Sequence, residues 1–189
     1  MTLEVFRAIF ALSYSDPRKA ARFWIEQQLS FLTVLQMLLL MAIILTLVGA
    51  VEQVATDIDP ASLGAGGNQF SVMVIHSVLI AVPGALIHVI GDRTGSTARF
   101  ADSLMMVVWL QVVVLPIQFA ATLSLALGGA FTSTILFTYV AVTFWILTHF
   151  ITELHGYKSR LNVFLGIMTV SIVLGVLLIP FLDPSFAGA

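Results

Sequence analysis

The sequence predicts an all-α polytopic membrane protein, with five transmembrane helices behind an amphipathic N-terminal cytoplasmic helix. Three observations lead there. The 189 residues are 59% hydrophobic and only 10% charged, with mean hydropathy +1.06, whereas a soluble domain carries about 25% charged residues. Five apolar runs follow one another, each roughly 22–24 residues or at least ~33 Å of helix, enough to cross the hydrocarbon. All eight Lys and Arg residues lie in three stretches: Arg7, Arg18, Lys19 and Arg22 before the first run, Arg93 and Arg99 after the second, Lys158 and Arg160 after the fourth. Positive segments stay on the cytoplasmic side, so this alternation predicts an internal N-terminus and an external C-terminus.

Residues 1–29 are expected to be a cytoplasmic or interfacial segment. Leu3 to Leu12 read as a short apolar turn-forming stretch. A helix then starts at Asp16-Pro17, where Asp16 suits the N-cap and Pro17 the first helical position. Its cations, Arg18, Lys19 and Arg22, fall on a polar side, and Ala21, Phe23, Trp24 and Ile25 supply apolar area. Two placements are open. The helix can lie at headgroup level with its cations facing lipid, or it can pack on the cytoplasmic ends of the bundle. The first apolar run begins near Leu29, late and long for a cleaved signal peptide, so uncleaved insertion is expected.

The five-span domain covers 30–182. Span one is about 30–51, and Glu52 to Gln69, with Pro60 and the run Gly64-Ala65-Gly66-Gly67, is the one long external loop. Span two is about 70–91, a polar turn Asp92 to Ser96 follows, and span three is about 100–123. Gly128-Gly129 marks a tight external turn before span four, about 131–153. His155 to Arg160 form the last internal turn, span five is about 161–182, and 183–189 are an external tail. Small residues four apart allow close helix approach, as at Ala42, Thr46 and Ala50, at Ser77, Ala81 and Ala85, and at Ser171 and Gly175. They read as packing faces, with homo-oligomer contacts the alternative. Pro83-Gly84 and Pro116 are expected to kink or locally open their helices, shaping the bundle or gating it.

Ionisable groups attached to apolar spans are functional candidates by default. Here they gather at the cytoplasmic end: Asp92, Arg93, Arg99, Asp102, His149, Glu153, Lys158 and Arg160. No carboxylate lies at the midplane, which argues against ion-coupled transport. The cluster suggests a polar vestibule where Asp102 and Glu153 pair with arginines to fix loop geometry or bind a headgroup. His149 and Glu153 stand i, i+4, a spacing that metal sites use, but two ligands without the paired histidines of a zinc protease favour a His149–Glu153 hydrogen bond. His76, deeper on the external side, is expected to bond a neighbouring helix, as are Gln111 and Gln118. There is no cysteine, no Gly-x-Ser-x-Gly elbow and no phosphate-cradling glycine loop. Hence no catalytic residue, metal site or cofactor is assigned. A net charge of -2 without a basic run argues against a nucleic-acid partner.

Ala101-Asp102-Ser103-Leu104, Trp109-Leu110-Gln111, Phe144-Trp145-Ile146-Leu147, Glu153-Leu154-His155-Gly156-Tyr157 and Phe164-Leu165-Gly166-Ile167 together resemble the Yip-domain family of Ypt/Rab-interacting proteins, in its short bacterial form. Length and the five-span pattern agree with it. The resemblance implies a small integral membrane protein that works through partners and bilayer organisation, in a bacterial cytoplasmic membrane. Eukaryotic members bind small GTPases and act in vesicle transport; this sequence departs from them in showing neither their long cytoplasmic N-terminal domain nor an Asp-Leu-Tyr-Gly-Pro motif. The expectation is a non-enzymatic interaction or accessory protein, whose partners are membrane lipids, other integral membrane proteins or a second copy. Its rivals are a small-solute or lipid transporter using kinked spans two and three, and a lipid-acting enzyme at the vestibule.

Overall fold

A computed structural model describes residues 2–56 and 68–182 and, for 54–56 and 177–182, the backbone alone. The described residues form seven helices and no strand: α1 (Leu3–Ser15), α2 (Pro17–Glu26), α3 (Phe31–Thr56), α4 (Gln69–Arg93), α5 (Phe100–Ala126), α6 (Thr132–His155) and α7 (Arg160–Leu182). Helices α3 to α6 are each long and apolar enough to cross a membrane. Helix α7 is apolar through Val176, the last of its described side chains. The ends of α3 to α7 lie within about five residues of the ends of the five apolar runs. The connection between α3 and α4 is bounded more tightly than the predicted Glu52 to Gln69, because α3 continues to Thr56 and α4 begins at Gln69, capped by the Asn68 side chain. Pro60 and the glycine run lie outside the described residues, as does the tail 183–189.

Helix α5 is the axis of the molecule. Every residue from Ala101 to Leu110 is buried, so this half of the helix has neighbours on all sides rather than along one stripe. Helices α3, α4 and α6 supply three of them, and the N-terminal helices supply the rest. Toward the other end α5 emerges, with Phe119 and Leu123 both exposed.

The N-terminal segment is part of this core. Leu3 to Leu12, expected to be turn-forming, is helical within α1, and the Thr2 hydroxyl caps it by accepting the Val5 N–H at 3.4 Å. Phe6, Ile9, Phe10 and Ser13 recur at helical spacing and turn one face toward α5. Trp109 is where they meet. Its indole N–H donates to the Ser13 hydroxyl at 2.9 Å, Phe6 meets its ring edge-on at 5.6 Å, and Trp24 of α2 lies against it at 4.8 Å. One turn further along α5, the Tyr14 hydroxyl donates to the Val113 carbonyl. Pro116 lacks an N–H, so it removes the helical donor of the neighbouring Val112 carbonyl. Helices α4 and α5 nonetheless run unbroken through Pro83 and Pro116.

Other expectations of packing hold unevenly. Thr46 and His76 bridge α3 and α4 at 3.2 Å, and the Gln118 amide donates to the Tyr139 hydroxyl at 3.2 Å, joining α5 to α6. Ala42 and Thr46 are buried, but Ser171 and Gly175 are exposed, so the small residues of α7 do not form a packing face within this chain. At Gly84 the backbones of α4 and α5 approach closely. A Cβ there would stand 2.9 Å from Leu104 Cδ1 and 3.1 Å from Leu104 Cα. The turn before α6 uses Gly128 and Gly129 at φ +97° and +77°, a conformation costly for residues with a Cβ.

Candidate functional site

The polar residues predicted to form one cluster are divided by the structure into separate groups at the same end of the bundle. The first centres on Glu153, near the C-terminus of α6. Its carboxylate, 11% exposed, accepts from Arg18 Nε at 2.8 Å and from Arg22 Nε and Nη2 at 2.9 and 2.6 Å. Both guanidiniums come from α2. Asp16 caps that helix as expected, accepting the Lys19 N–H at 3.3 Å, and Ala20, Ala21 and Trp24 bury its opposite face. Of the two placements open to α2, the contacts of Arg18 and Arg22 are those of the packed one, so these two are clamped to α6 instead of facing lipid alone. Lys19 stays largely exposed beside Asp16 at 3.1 Å. The hydrogen bond to Glu153 raises the Arg22 pKa, and the Lys19 hydrogen bond holds the Asp16 carboxyl below its usual value.

The second group is the fork between Arg99 and Asp102, with Nε–Oδ2 at 2.9 Å and Nη2–Oδ1 at 2.6 Å. It sits on the first turn of α5, where a carboxylate also faces the positive end of the helix dipole. The bond raises the Arg99 pKa. Asp102 is thus paired with Arg99, and Glu153 with Arg18 and Arg22, which lie outside the expected cluster.

The predicted His149–Glu153 hydrogen bond does not form. His149 Nδ1 instead bonds the Trp145 carbonyl at 2.7 Å, one turn back. The cause is competition, since charge-assisted bonds from two guanidiniums occupy the oxygens that the imidazole would have met. The i, i+4 spacing put the two residues on one face, but a helix whose arginines lie 131 and 135 positions away in sequence supplied the stronger partners. Asp92, Arg93, Lys158 and Arg160 are exposed beyond these groups. Asp92 and Arg93 complete the last turn of α4 instead of opening a loop.

A third group escaped the sequence reading. His155 Nδ1 lies 2.7 Å from the Ser96 hydroxyl, its ring leans on Tyr157 at 5.3 Å, and the hydroxyls of Tyr157 and Thr94 are bonded. These contacts tie the α4–α5 turn to the α6–α7 turn. The ring of His155 fills the space over Gly91, where any Cβ would collide with it. Gly91 is helical, so its role is room and not backbone freedom. A small residue closing an apolar helix was the available signal, but only the fold shows which ring it admits. The Ser96–His155 pair has the elements of a nucleophile and base, yet the Ser96 hydroxyl also accepts the Ala98 N–H at 3.2 Å. On its other side the His155 ring nears the Ile87 backbone, with Nε2 lacking a hydrogen bond of ordinary geometry. No carboxylate orients the ring among the described residues, so the pair lacks the third member that activates a serine.

Beside this knot runs a lateral groove of about 630 Å³, walled by α4 and α7 and floored by α6. Pro83, Ile87, Ile151, Ile167 and Leu174 line its shaft, and Lys158, Ser159 and Asn162 stand at its loop end. It exists because α7 packs chiefly on α6 and leaves α4 uncovered. No family model, curated protein or solved structure matches the chain. The architecture therefore defines a class, a polytopic α-helical membrane protein whose open surface is lateral.

Proposed function

We propose that the protein is a non-enzymatic, five-span integral membrane protein of the Yip type, acting as an interaction or accessory factor that organises lipids and neighbouring membrane proteins. The N-terminus lies in the cytoplasm, the C-terminus outside, and the host is a bacterial cytoplasmic membrane. One observation carries this reading: the carboxylates of Glu153 and Asp102 are engaged by Arg18, Arg22 and Arg99, while an unfilled groove opens between α4, α6 and α7. Asp102 and Glu153 are poor candidates for carrying a coupling ion, since arginines already occupy their oxygens. Small side chains and an uncovered helix face favour sideways docking of other spans.

Blue-native electrophoresis in mild detergent tests the reading. Co-migration with other membrane proteins is expected, and a strictly monomeric, partner-free particle overturns it. A tag fused behind Ala189 should be unreachable from the cytosol of intact cells. Labelling from the cytosol refutes the orientation.

A further inference from the structure

We propose that the groove between α4, α6 and α7 is a binding site for one anionic phospholipid, with its phosphate at Lys158 and an acyl chain along the shaft. The inference deepens the accessory reading above and takes the inner leaflet from its topology.

Three features select this occupant. The first is the distribution of polarity. Thr94, His155, Tyr157, Lys158, Ser159 and Asn162 all line one end, and beyond them the walls are apolar apart from Ser171. Polarity at a single end is the pattern of an amphiphile; a transmembrane helix of a partner would bring polar flanks to both ends.

The second is charge. The mouth offers one ammonium, hydroxyls and an amide, and the lining contains no carboxylate. Helix α7 also begins here, with the Ser159 hydroxyl accepting the Asn162 N–H at 3.3 Å, so the positive end of its dipole faces the same place. Lys158 is exposed and free to swing over a phosphate.

The third is size. From Arg160, where α7 begins, to Leu174 the wall runs ~21 Å at 1.5 Å per residue, longer than the ~15 Å that one leaflet contributes to the hydrocarbon. A volume of about 630 Å³ lies within the usual range of ligand sites. The groove opens sideways, so a lipid enters by lateral diffusion without leaving the bilayer.

The test uses the full chain, stripped of lipid in detergent and examined by native mass spectrometry with phosphatidylglycerol or phosphatidylcholine added at equal concentration. The expected result is a one-to-one adduct, with phosphatidylglycerol retained about fivefold better, the preference that one lysine near an anionic surface supplies. Lys158→Glu, at an exposed position, should erase that preference. Val163→Trp should fill the shaft and reduce both adducts, with circular dichroism confirming unchanged helix content. Equal retention of the two lipids, indifference to Lys158→Glu, or ladders of adducts without a defined stoichiometry overturns the proposal. If lipid selectivity fails while blue-native co-migration persists, the lipid site alone is refuted and the accessory reading stands.

Discussion

Trp109 is the residue through which both N-terminal helices are attached to α5, and its removal gives the sharpest test of that attachment. The indole is 1% exposed, donates a hydrogen bond to Ser13 at 2.9 Å, and packs with Phe6 and Trp24 at 5.6 and 4.8 Å. Trp→Ala in a core surrounded by water costs about 3–5 kcal/mol. Part of that is absent here, because lipid solvates an apolar surface about as well as a protein core does. What survives is the specific contacts: two aromatic pairs at about 0.5–1.5 kcal/mol each and one hydrogen bond near 1 kcal/mol. Their sum is about 2–4 kcal/mol, or roughly a 30- to 1000-fold larger open population of the α1–α2 hairpin. Amide hydrogen exchange in nanodiscs measures it. In Trp109→Ala the amides of Leu3–Ser15 should exchange faster by that factor, while those of the α6–α7 turn, remote from Trp109 in the contact pattern, should not change. Trp109→Phe keeps most ring contact and should lie about 1–2 kcal/mol below wild type. Unchanged α1 exchange in Trp109→Ala would refute the assignment of Trp109 as the anchor.

Glu153→Gln should free α2, and trypsin should cut after Arg18, Lys19 and Arg22 roughly three- to tenfold faster, since cleavage follows the open population; an unchanged rate removes the clamp from the account. Gly84→Leu should cost about 1–3 kcal/mol by forcing α4 from Leu104, read as a lower midpoint of thermal unfolding in detergent. Gly91→Ala should displace the His155 ring and break its bond to Ser96, seen as a changed His155 imidazole resonance; an unmoved resonance counts against the tight fit. Asp16 supplies the pH dependence. Its folded pKa lies below the ordinary 3.8 through the Lys19 hydrogen bond, so the cap's contribution is complete above that value and fades as pH falls through the folded pKa. Tryptophan emission from the Trp24–Trp109 stack should hold from neutral pH to about pH 4 and shift below it, with that component missing in Asp16→Asn. A transition near neutrality would show that another group controls the docking.

The sequence by itself determined the elements. Runs of apolar residues marked α3 to α7 within a few positions, Asp16-Pro17 placed the start of α2, and Gly128-Gly129 placed a turn, because composition, caps and backbone preference are local properties. It misread Leu3 to Leu12, although Phe6, Ile9, Phe10 and Ser13 carry a helical period, because a short apolar stretch has no distinctive signature without the surface it packs on.

Tertiary structure decided the pairings. Glu153 lies four residues from His149 in sequence but bonds Arg18 and Arg22 of α2, since a carboxylate goes to the strongest donors within reach and reach is set by how helices stack. The groove beside α7, the knot of Ser96 with His155 and the room at Gly91 have the same origin. Each is a relation between surfaces on separate helices, and a one-dimensional pattern records the surfaces without recording which of them meet.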